Sequence, residues 1–166
     1  MVRCMLYVVI CFGILACDTK NSDNEARTKT AFELTTEAWP KRTAVKPKAQ
    51  AILNDWPEYQ DLEKSFDALY TVANREDLSL VIENLVEKQK ALEESEYPET
   101  FGKPQVKSRQ KVFKTFMLKV KGDLYYRTAP EASVTEMITA YNAFREQFNV
   151  IVSNTVDLNL ILEEVK

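Results

Sequence analysis

The chain contains no histidine, only three glycines, and no cysteine beyond residue 17. The absence of histidine excludes Ser-His-Asp and Cys-His catalysis, HExxH zinc sites and His-ligated haem. Three scattered glycines exclude a Walker loop and a GxGxxG dinucleotide fingerprint. Because Cys4, Cys11 and Cys17 all lie in the first seventeen residues, the rest of the chain has no disulfide framework. We therefore expect no enzyme, no catalytic residue, no metal site and no cofactor.

The remaining composition is that of an ordinary globular domain. The chain has 166 residues, 45% of them apolar, which is enough for one domain with a hydrophobic core. Its net charge is −3, and removal of residues 1–16 would take away Arg3 and no acid, leaving −4. An acidic chain argues against a nucleic-acid partner.

Residues 1–16 have the organisation of a cleavable export signal. Arg3 is followed by an uncharged run of 14 residues, from Cys4 to Cys17, that is rich in aliphatic and aromatic side chains. A membrane-spanning helix needs ~20 such residues. A basic start, a short apolar run and a small residue at Ala16 fit a signal peptide instead. We predict that this segment is removed on export.

The end of that run, Ile14-Leu15-Ala16-Cys17, resembles the lipobox of bacterial lipoproteins. In that family the cysteine sulfur receives a diacylglyceryl group, a type II signal peptidase cuts before it, and the new amino terminus is usually acylated. The resemblance implies that Cys17 is the lipidation site and the first residue of a membrane-anchored protein. Acyl chains contribute ~0.8 kcal/mol per buried CH₂, so two or three of them make attachment effectively permanent. The departure is Leu15, where Ala or Ser is commoner, and the alternative is an unmodified Cys17 in a plain signal or anchor.

Residues 17–30 are predicted to be the lipidated cysteine and a flexible tether, because residues 18–30 contain no apolar residue larger than alanine. Asp18 resembles the inner-membrane retention signal of enterobacterial lipoproteins. The acidic cluster Asp18, Asp23 and Glu25 resembles the surface-export signal of Bacteroidetes lipoproteins. These resemblances imply opposite destinations, and the acids could equally belong to a plain spacer. The prediction is therefore a membrane-anchored location in the cell envelope, with the choice between inner and outer membrane left open.

Residues 31–166 are predicted to form a single all-helical domain. Apolar residues recur at intervals of three and four, which is the helical period, and proline rather than glycine separates the segments. Short connections favour antiparallel neighbours, so the expected fold is an antiparallel bundle of about four principal helices, with an irregular all-α domain as the alternative. The principal helices are predicted from Pro57 to Ala73, from the cap Asn74 to Leu92, from Pro104 to Arg127, and from Glu131 through Leu158 and Leu162, with shorter pieces at 31–38 and 48–54.

The second and third predicted helices carry opposite net charge. Residues 76–99 hold eight acids and two bases, whereas residues 103–121 hold seven bases and no acid. Five lysines of the third helix share one side, away from its apolar face. We expect a solvated face that the acidic helix partly neutralises. The alternative is a surface for anionic headgroups or a polyanionic polymer. This lysine stripe consists of Lys103, Lys107, Lys111, Lys114 and Lys121.

Two arginines break this pattern, because Arg109 and Arg145 each fall within the apolar arc of their helix. A guanidinium stays charged, so a core position requires a carboxylate, carbonyl or amide partner. Asn142 and Asn149 flank Arg145 one turn away. One interpretation is a buried polar network that fixes helix order; the other is a pocket in which both arginines hold an anionic ligand. Polar residues expected on or near the apolar sides of the other helices are Gln89, Glu93, Glu96 and Glu58.

These features lead to two functional hypotheses. The first is a lipid-anchored envelope protein that acts by binding a protein partner, as an adaptor or accessory subunit. The alternative is a helical sensor or carrier of a small anion, centred on Arg109 and Arg145. Trp39 and Trp56, each followed by proline, are expected to pack at helix ends, and exposed tryptophans would instead mark a docking surface. The string Ser108-x-x-Lys111 lacks the accompanying motifs and the sheet of penicillin-recognising enzymes, so we assign it no catalysis.

Overall fold

The computed structural model describes the backbone of residues 34–164 and the side chains of residues 34–154. The chain divides into two units, residues 1–33 and residues 34–166, and the fold described below belongs to the second. The predicted signal peptide, the lipidation site at Cys17 and the tether lie outside the described residues.

Five α-helices joined by short connections make up most of the described chain, and no strand occurs between residues 34 and 164. The prediction of an all-α fold is confirmed. Short 3₁₀ turns lie at Thr36–Ala38 and Ala68–Thr71. The helices are α1 (Pro47–Asn54), α2 (Pro57–Asp67), α3 (Arg75–Glu94), α4 (Pro104–Tyr125) and α5 (Glu131–Glu164). Within this part of the chain, no helix combines the length and the hydropathy needed to cross a bilayer.

Local sequence explains where these helices start. Pro47, Pro57 and Pro104 each occupy the first position of a helix, where proline's fixed φ is suitable and its missing N–H has no intrahelical partner to lose. The predicted cap at Asn74 is confirmed, because its Oδ1 accepts from the backbone N–H of Asp77 at 2.8 Å. Asn74 Nδ2 donates to the Asp77 carboxylate in return, at 2.9 Å. Helix starts are therefore encoded without glycine.

Successive helices of the bundle run antiparallel. Trp56 at the start of α2 meets Ser95 just after α3, with Trp56 Nε1 donating to Ser95 Oγ at 2.9 Å. Farther along α2, Asp61 pairs with Lys88, earlier in α3. The same reversed order holds between α3 and α4 and between α4 and α5. The short helix predicted at 48–54 is present as α1, and it packs against both α2 and α5.

Aromatic side chains fill the centre of the bundle and bring α2 into contact with α5, the first and last of its principal helices. The rings of Phe66 on α2 and Tyr141 on α5 stack with centroids 3.8 Å apart. Phe113 on α4 lies 4.8 Å from the same tyrosine. Both tryptophans are buried, with Trp39 6% and Trp56 2% exposed. They therefore pack at helix ends and do not form an exposed docking patch themselves.

Two glutamines enter this core. Gln89 on α3 is buried, and neither atom of its amide has a hydrogen-bond partner among the described residues. Gln110 on α4 is also buried, but its Oε1 accepts from the hydroxyl of Tyr97. A buried amide without partners loses its hydrogen bonds to water without replacement. We therefore expect Gln89 to lower the stability of the core.

Replacement of Gln89 by methionine is expected to stabilise the protein. Methionine has a similar shape and carries no amide, so Q89M should raise the free energy of unfolding by about 1–2 kcal/mol in urea titrations followed by circular dichroism. Q110M is the matched control, because it removes an acceptor that Tyr97 uses; its gain should be smaller or negative. A lower unfolding free energy for Q89M than for the wild type would contradict the interpretation.

Candidate functional site

Arg145 lies in the interior, where the apolar arc of the fourth predicted helix places it, and is 6% exposed. Its Nε donates to the carbonyl oxygen of Thr43 at 2.7 Å. Its Nη1 forms an ion pair with the carboxylate of Glu63 and lies 3.3 Å from the Tyr59 hydroxyl oxygen. Its guanidinium carbon is 5.8 Å from the centroid of the Tyr141 ring. Protein groups thus compensate this buried charge.

Glu63 on α2 is the centre of the network, and it is a residue that the sequence analysis missed. Its Oε1 accepts from Tyr59 at 2.9 Å, from Tyr141 and from Arg145, while its Oε2 lies 3.4 Å from Arg42 Nη1. A helical wheel places position 63 at the edge of the buried arc of α2, where the side chain is half-buried. Glu58, the acid that the sequence analysis placed near that arc, instead borders a groove described below.

Burial fixes the protonation of the two tyrosines in this network. Burial first, and the charge of Glu63 second, raise the pKa of Tyr59 above its usual range. Burial likewise raises the pKa of Tyr141 well above its usual range. Both hydroxyls therefore keep their protons at neutral pH and remain hydrogen-bond donors to Glu63. The arrangement is suited to holding a carboxylate in place.

Asn142 and Asn149 lie one turn on either side of Arg145 and bind the segment that precedes α1. Asn142 accepts from the Thr43 N–H at 2.8 Å and donates to the Lys41 carbonyl at 2.9 Å. Asn149 repeats this arrangement three residues farther along the segment. It accepts from the Lys46 N–H at 2.8 Å and donates to the Ala44 carbonyl at 3.0 Å. Each amide thus satisfies a C=O and the N–H two residues later, as a neighbouring strand would.

Arg109 does not belong to this network, and the prediction that it lies within the apolar arc of its helix is wrong. Its side chain is exposed on α4, and no described carboxylate pairs with it. The buried position next to it is Gln110. The predicted apolar arc included Phe116, which is only half-buried, and was therefore rotated away from the buried face. The observed buried face is centred on Val106 and Gln110. Arg109 and Arg145 therefore differ in burial and share none of the contacts described here.

The lysine stripe keeps most of its charge unpaired. Lys114 forms an ion pair with Glu93 of α3, which is the neutralisation expected from the acidic helix. Lys107 places its Nζ 4.9 Å from the centroid of the Tyr97 ring. Among the described residues, no carboxylate lies within ion-pair distance of Lys103, Lys107, Lys111 or Lys121. The stripe is thus an exposed basic surface with one ion pair.

An open groove of about 570 Å³ lies where the α1–α2 connection meets the α3–α4 connection. The Trp56 and Tyr97 rings are adjacent there, with centroids 4.8 Å apart. Pro57, Pro98 and Ile52 also line the groove, and four carboxylates surround it, none of them in an ion pair with a described residue. We call it the Trp56–Tyr97 groove; its carboxylates are Asp55, Glu58, Glu96 and Glu99.

A smaller cleft of about 130 Å³ lies beside Tyr97 and is lined also by Glu93, Lys107, Gln110 and Lys111. Neither the groove nor the cleft is lined by Arg109 or Arg145. The Arg145 guanidinium is bound by Glu63 and the Thr43 carbonyl, whereas the Trp56–Tyr97 groove offers carboxylates without described ion-pair partners and the half-buried Tyr97 ring to another molecule.

Removal of the Glu63 charge is expected to destabilise the fold strongly. E63Q leaves the Arg145 guanidinium buried without its counter-ion, so the free energy of unfolding should fall by about 3–5 kcal/mol in urea titrations. D61N is the matched control on the same helix; Asp61 pairs with Lys88 near the surface, and its loss should amount to less than ~1 kcal/mol. In a double-mutant cycle, E63Q with R145M should lose less than the sum of the two single variants. Equal effects of E63Q and D61N would contradict this account.

Comparison of the chain with protein-family models, with curated protein sequences and with solved structures finds no match in any of the three.

Proposed function

We propose that this protein is a lipid-anchored adaptor of the bacterial cell envelope that binds a partner protein through the Trp56–Tyr97 groove. The observation that carries the proposal is the combination of four carboxylates that form no ion pair with a described residue and a surface lined by prolines and the half-buried Tyr97 ring. Such a surface is complementary to an extended segment that bears lysine or arginine, because the Tyr97 ring can contact an aliphatic stem and the carboxylates attract the cationic heads. Membrane attachment rests on the lipobox at Ile14–Cys17.

Hydrogen bonds around the groove support a binding role. Trp56 is held by Ser95, and the α3–α4 connection is held by two backbone bonds, from Phe101 and Gly102 to the Pro98 carbonyl, both at 2.8 Å. A surface that is already ordered loses little conformational entropy when a partner docks. We accordingly propose action by binding and not by catalysis.

The anion carrier is the weaker hypothesis. It requires Arg109 and Arg145 to line one enclosed cavity. Arg109 is exposed, and Arg145 is occupied by Glu63 and the Thr43 carbonyl. No observation favours this function over the adaptor.

The anchor is tested by intact-protein mass spectrometry of membrane fractions. Wild-type protein should begin at Cys17 and carry the added mass of its acyl chains. C17A should retain residues 1–16, because the peptidase requires the modified cysteine in the lipoprotein family that the lipobox resembles. C11A is the matched control and should be processed like the wild type. An unmodified Cys17 in the membrane-bound wild type would remove the lipoprotein claim.

The groove is tested by photo-crosslinking in cells of the native host. A benzophenone amino acid at Thr100, beside the groove, should give a discrete protein adduct, whereas the same group at the exposed Asn84 on α3 should give none. E58Q combined with E96Q should reduce the adduct roughly fivefold, the effect of losing about 1 kcal/mol of attraction. E83Q combined with E87Q neutralises two exposed acids elsewhere and should leave the yield unchanged. An adduct equally strong from position 84, or insensitive to the groove carboxylates, would contradict the proposal.

A further inference from the structure

The described chain begins at one particular end of the bundle. The backbone N–H of Leu34 donates to the Ala73 carbonyl at 3.1 Å, immediately before α3. Arg75, the first residue of α3, donates to the backbone carbonyls of Asp123 and Thr128, at the connection between α4 and α5. These contacts define what we call the proximal end, formed by residues 73–75 and 125–131. The Trp56–Tyr97 groove lies at the opposite, distal end of α3.

The proximal end displays two adjacent tyrosines. Tyr125 and Tyr126 are 79% and 76% exposed, the highest values among the large hydrophobic side chains of the described residues. Their ring centroids are 5.0 Å apart, with the ring planes nearly perpendicular. Neither ring packs against the core. An exposed aromatic pair of this kind indicates contact with another phase or molecule.

Backbone geometry fixes the pair in this position. Arg127 adopts φ = 56°, in the left-handed region. The N–H of Arg127 donates to the Leu124 carbonyl at 3.3 Å, and the N–H of Thr128 donates to the Asp123 carbonyl at 2.9 Å. These two bonds are the Schellman ending of a helix, which usually has glycine at the left-handed position. An arginine there keeps a strained conformation while adding an exposed cation beside the tyrosines.

Tyrosine and arginine together are suited to the headgroup layer of a bilayer. The tyrosine ring is apolar and its hydroxyl is polar, so both ends are satisfied at the interface, where tyrosine is enriched. Arginine can extend its guanidinium to phosphates from the same depth. Acids are present as well, since Glu76 and Glu131 are exposed at this end. The attraction must therefore come from burial of the rings and not from net charge.

The position of Leu34 indicates that the proximal end is the part of the bundle that faces the bilayer. Sixteen residues, 18–33, join Cys17 to Leu34, and Leu34 is held at the proximal end. A lipid at Cys17 keeps this end within ~60 Å of the bilayer even when the connection is fully extended. α3 has 20 residues and is thus ~30 Å long, so the distal end is held less closely.

We infer that the proximal end is a membrane-facing surface in which Tyr125 and Tyr126 enter the lipid headgroup layer. The inference rests on the proposed lipid anchor. It directs the Trp56–Tyr97 groove away from the bilayer, towards a partner elsewhere in the envelope. The ligand chemistry is a phospholipid surface, and because ring burial dominates, a change in the fraction of anionic lipid should have little effect.

The test is site-directed spin labelling of the full lipoprotein in vesicles of phosphatidylethanolamine and phosphatidylglycerol. Single cysteines replace the exposed Glu131 at the proximal end or the exposed Glu99 at the distal end. The ratio of accessibility to oxygen over accessibility to a water-soluble nickel chelate reports depth. We expect this ratio to be several-fold higher at position 131 than at position 99, and to change little as phosphatidylglycerol is varied.

Two double variants separate the tyrosines from general surface hydrophobicity. Y125S with Y126S should lower the ratio at position 131 to the aqueous value. V112S with V150S, which replaces exposed valines on the sides of α4 and α5, should not. A strong dependence on phosphatidylglycerol would overturn the primacy of ring burial. Protein that carries acyl mass and sediments with vesicles, yet gives aqueous values at both positions, would overturn the membrane-facing surface while leaving the anchor intact. Protein without acyl mass that does not sediment would overturn both.

Discussion

Arg145 brings into the bundle a charge that it cannot lose, and the arrangement of α2, α5 and the segment before α1 follows from that constraint. A guanidinium has too high a pKa to be neutralised by deprotonation, so burial requires acceptors with defined geometry. Glu63 supplies one from α2, and the Thr43 carbonyl supplies another from the leading segment. Tyr59 and Tyr141 donate to the same carboxylate oxygen of Glu63 that Arg145 contacts. A displacement of α2 along α5 would separate the charges, whereas aromatic contacts alone would tolerate it.

The turns of α5 that flank Arg145 also hold residues 41–46 in place, although this segment has no regular secondary structure. Residues 41–46 form no helix and pair with no strand, so their N–H and C=O groups need other partners. Asn142 and Asn149 provide them from the two turns that flank Arg145. One face of α5 thereby replaces the neighbouring strand of a sheet. Because α1 follows directly, its position, and with it one side of the Trp56–Tyr97 groove, depends on a polar ladder centred on a buried charge.

Much of the fold was predictable from the sequence, and the partners within it were not. Helix starts at Pro57 and Pro104 and the cap at Asn74 are local effects, so they can be read from a few neighbouring residues. The buried face of a helix can also be predicted from nearby residues, but a helical wheel places the boundary of that face only coarsely. One half-buried phenylalanine shifted the predicted arc enough to exchange Gln110 for Arg109. The edge position of Glu63 on α2 is a local property, whereas its pairing with Tyr141 and Arg145, 78 and 82 residues away along the chain, could not be predicted locally.

The two ends of the bundle have different chemistry because antiparallel helices bring different connections together. The proximal end gathers the α4–α5 connection and the start of α3, where tyrosines and a left-handed arginine end a helix. The distal end gathers the α1–α2 and α3–α4 connections, where carboxylates surround aromatic rings. Under the proposed lipid anchoring this polarity has a consequence for binding. Attachment would confine the groove to a layer above the bilayer, so a partner segment that reaches this layer would meet it at a high effective concentration. A groove of modest intrinsic affinity is then sufficient, which agrees with one that attracts through solvent-exposed carboxylates rather than through deep burial.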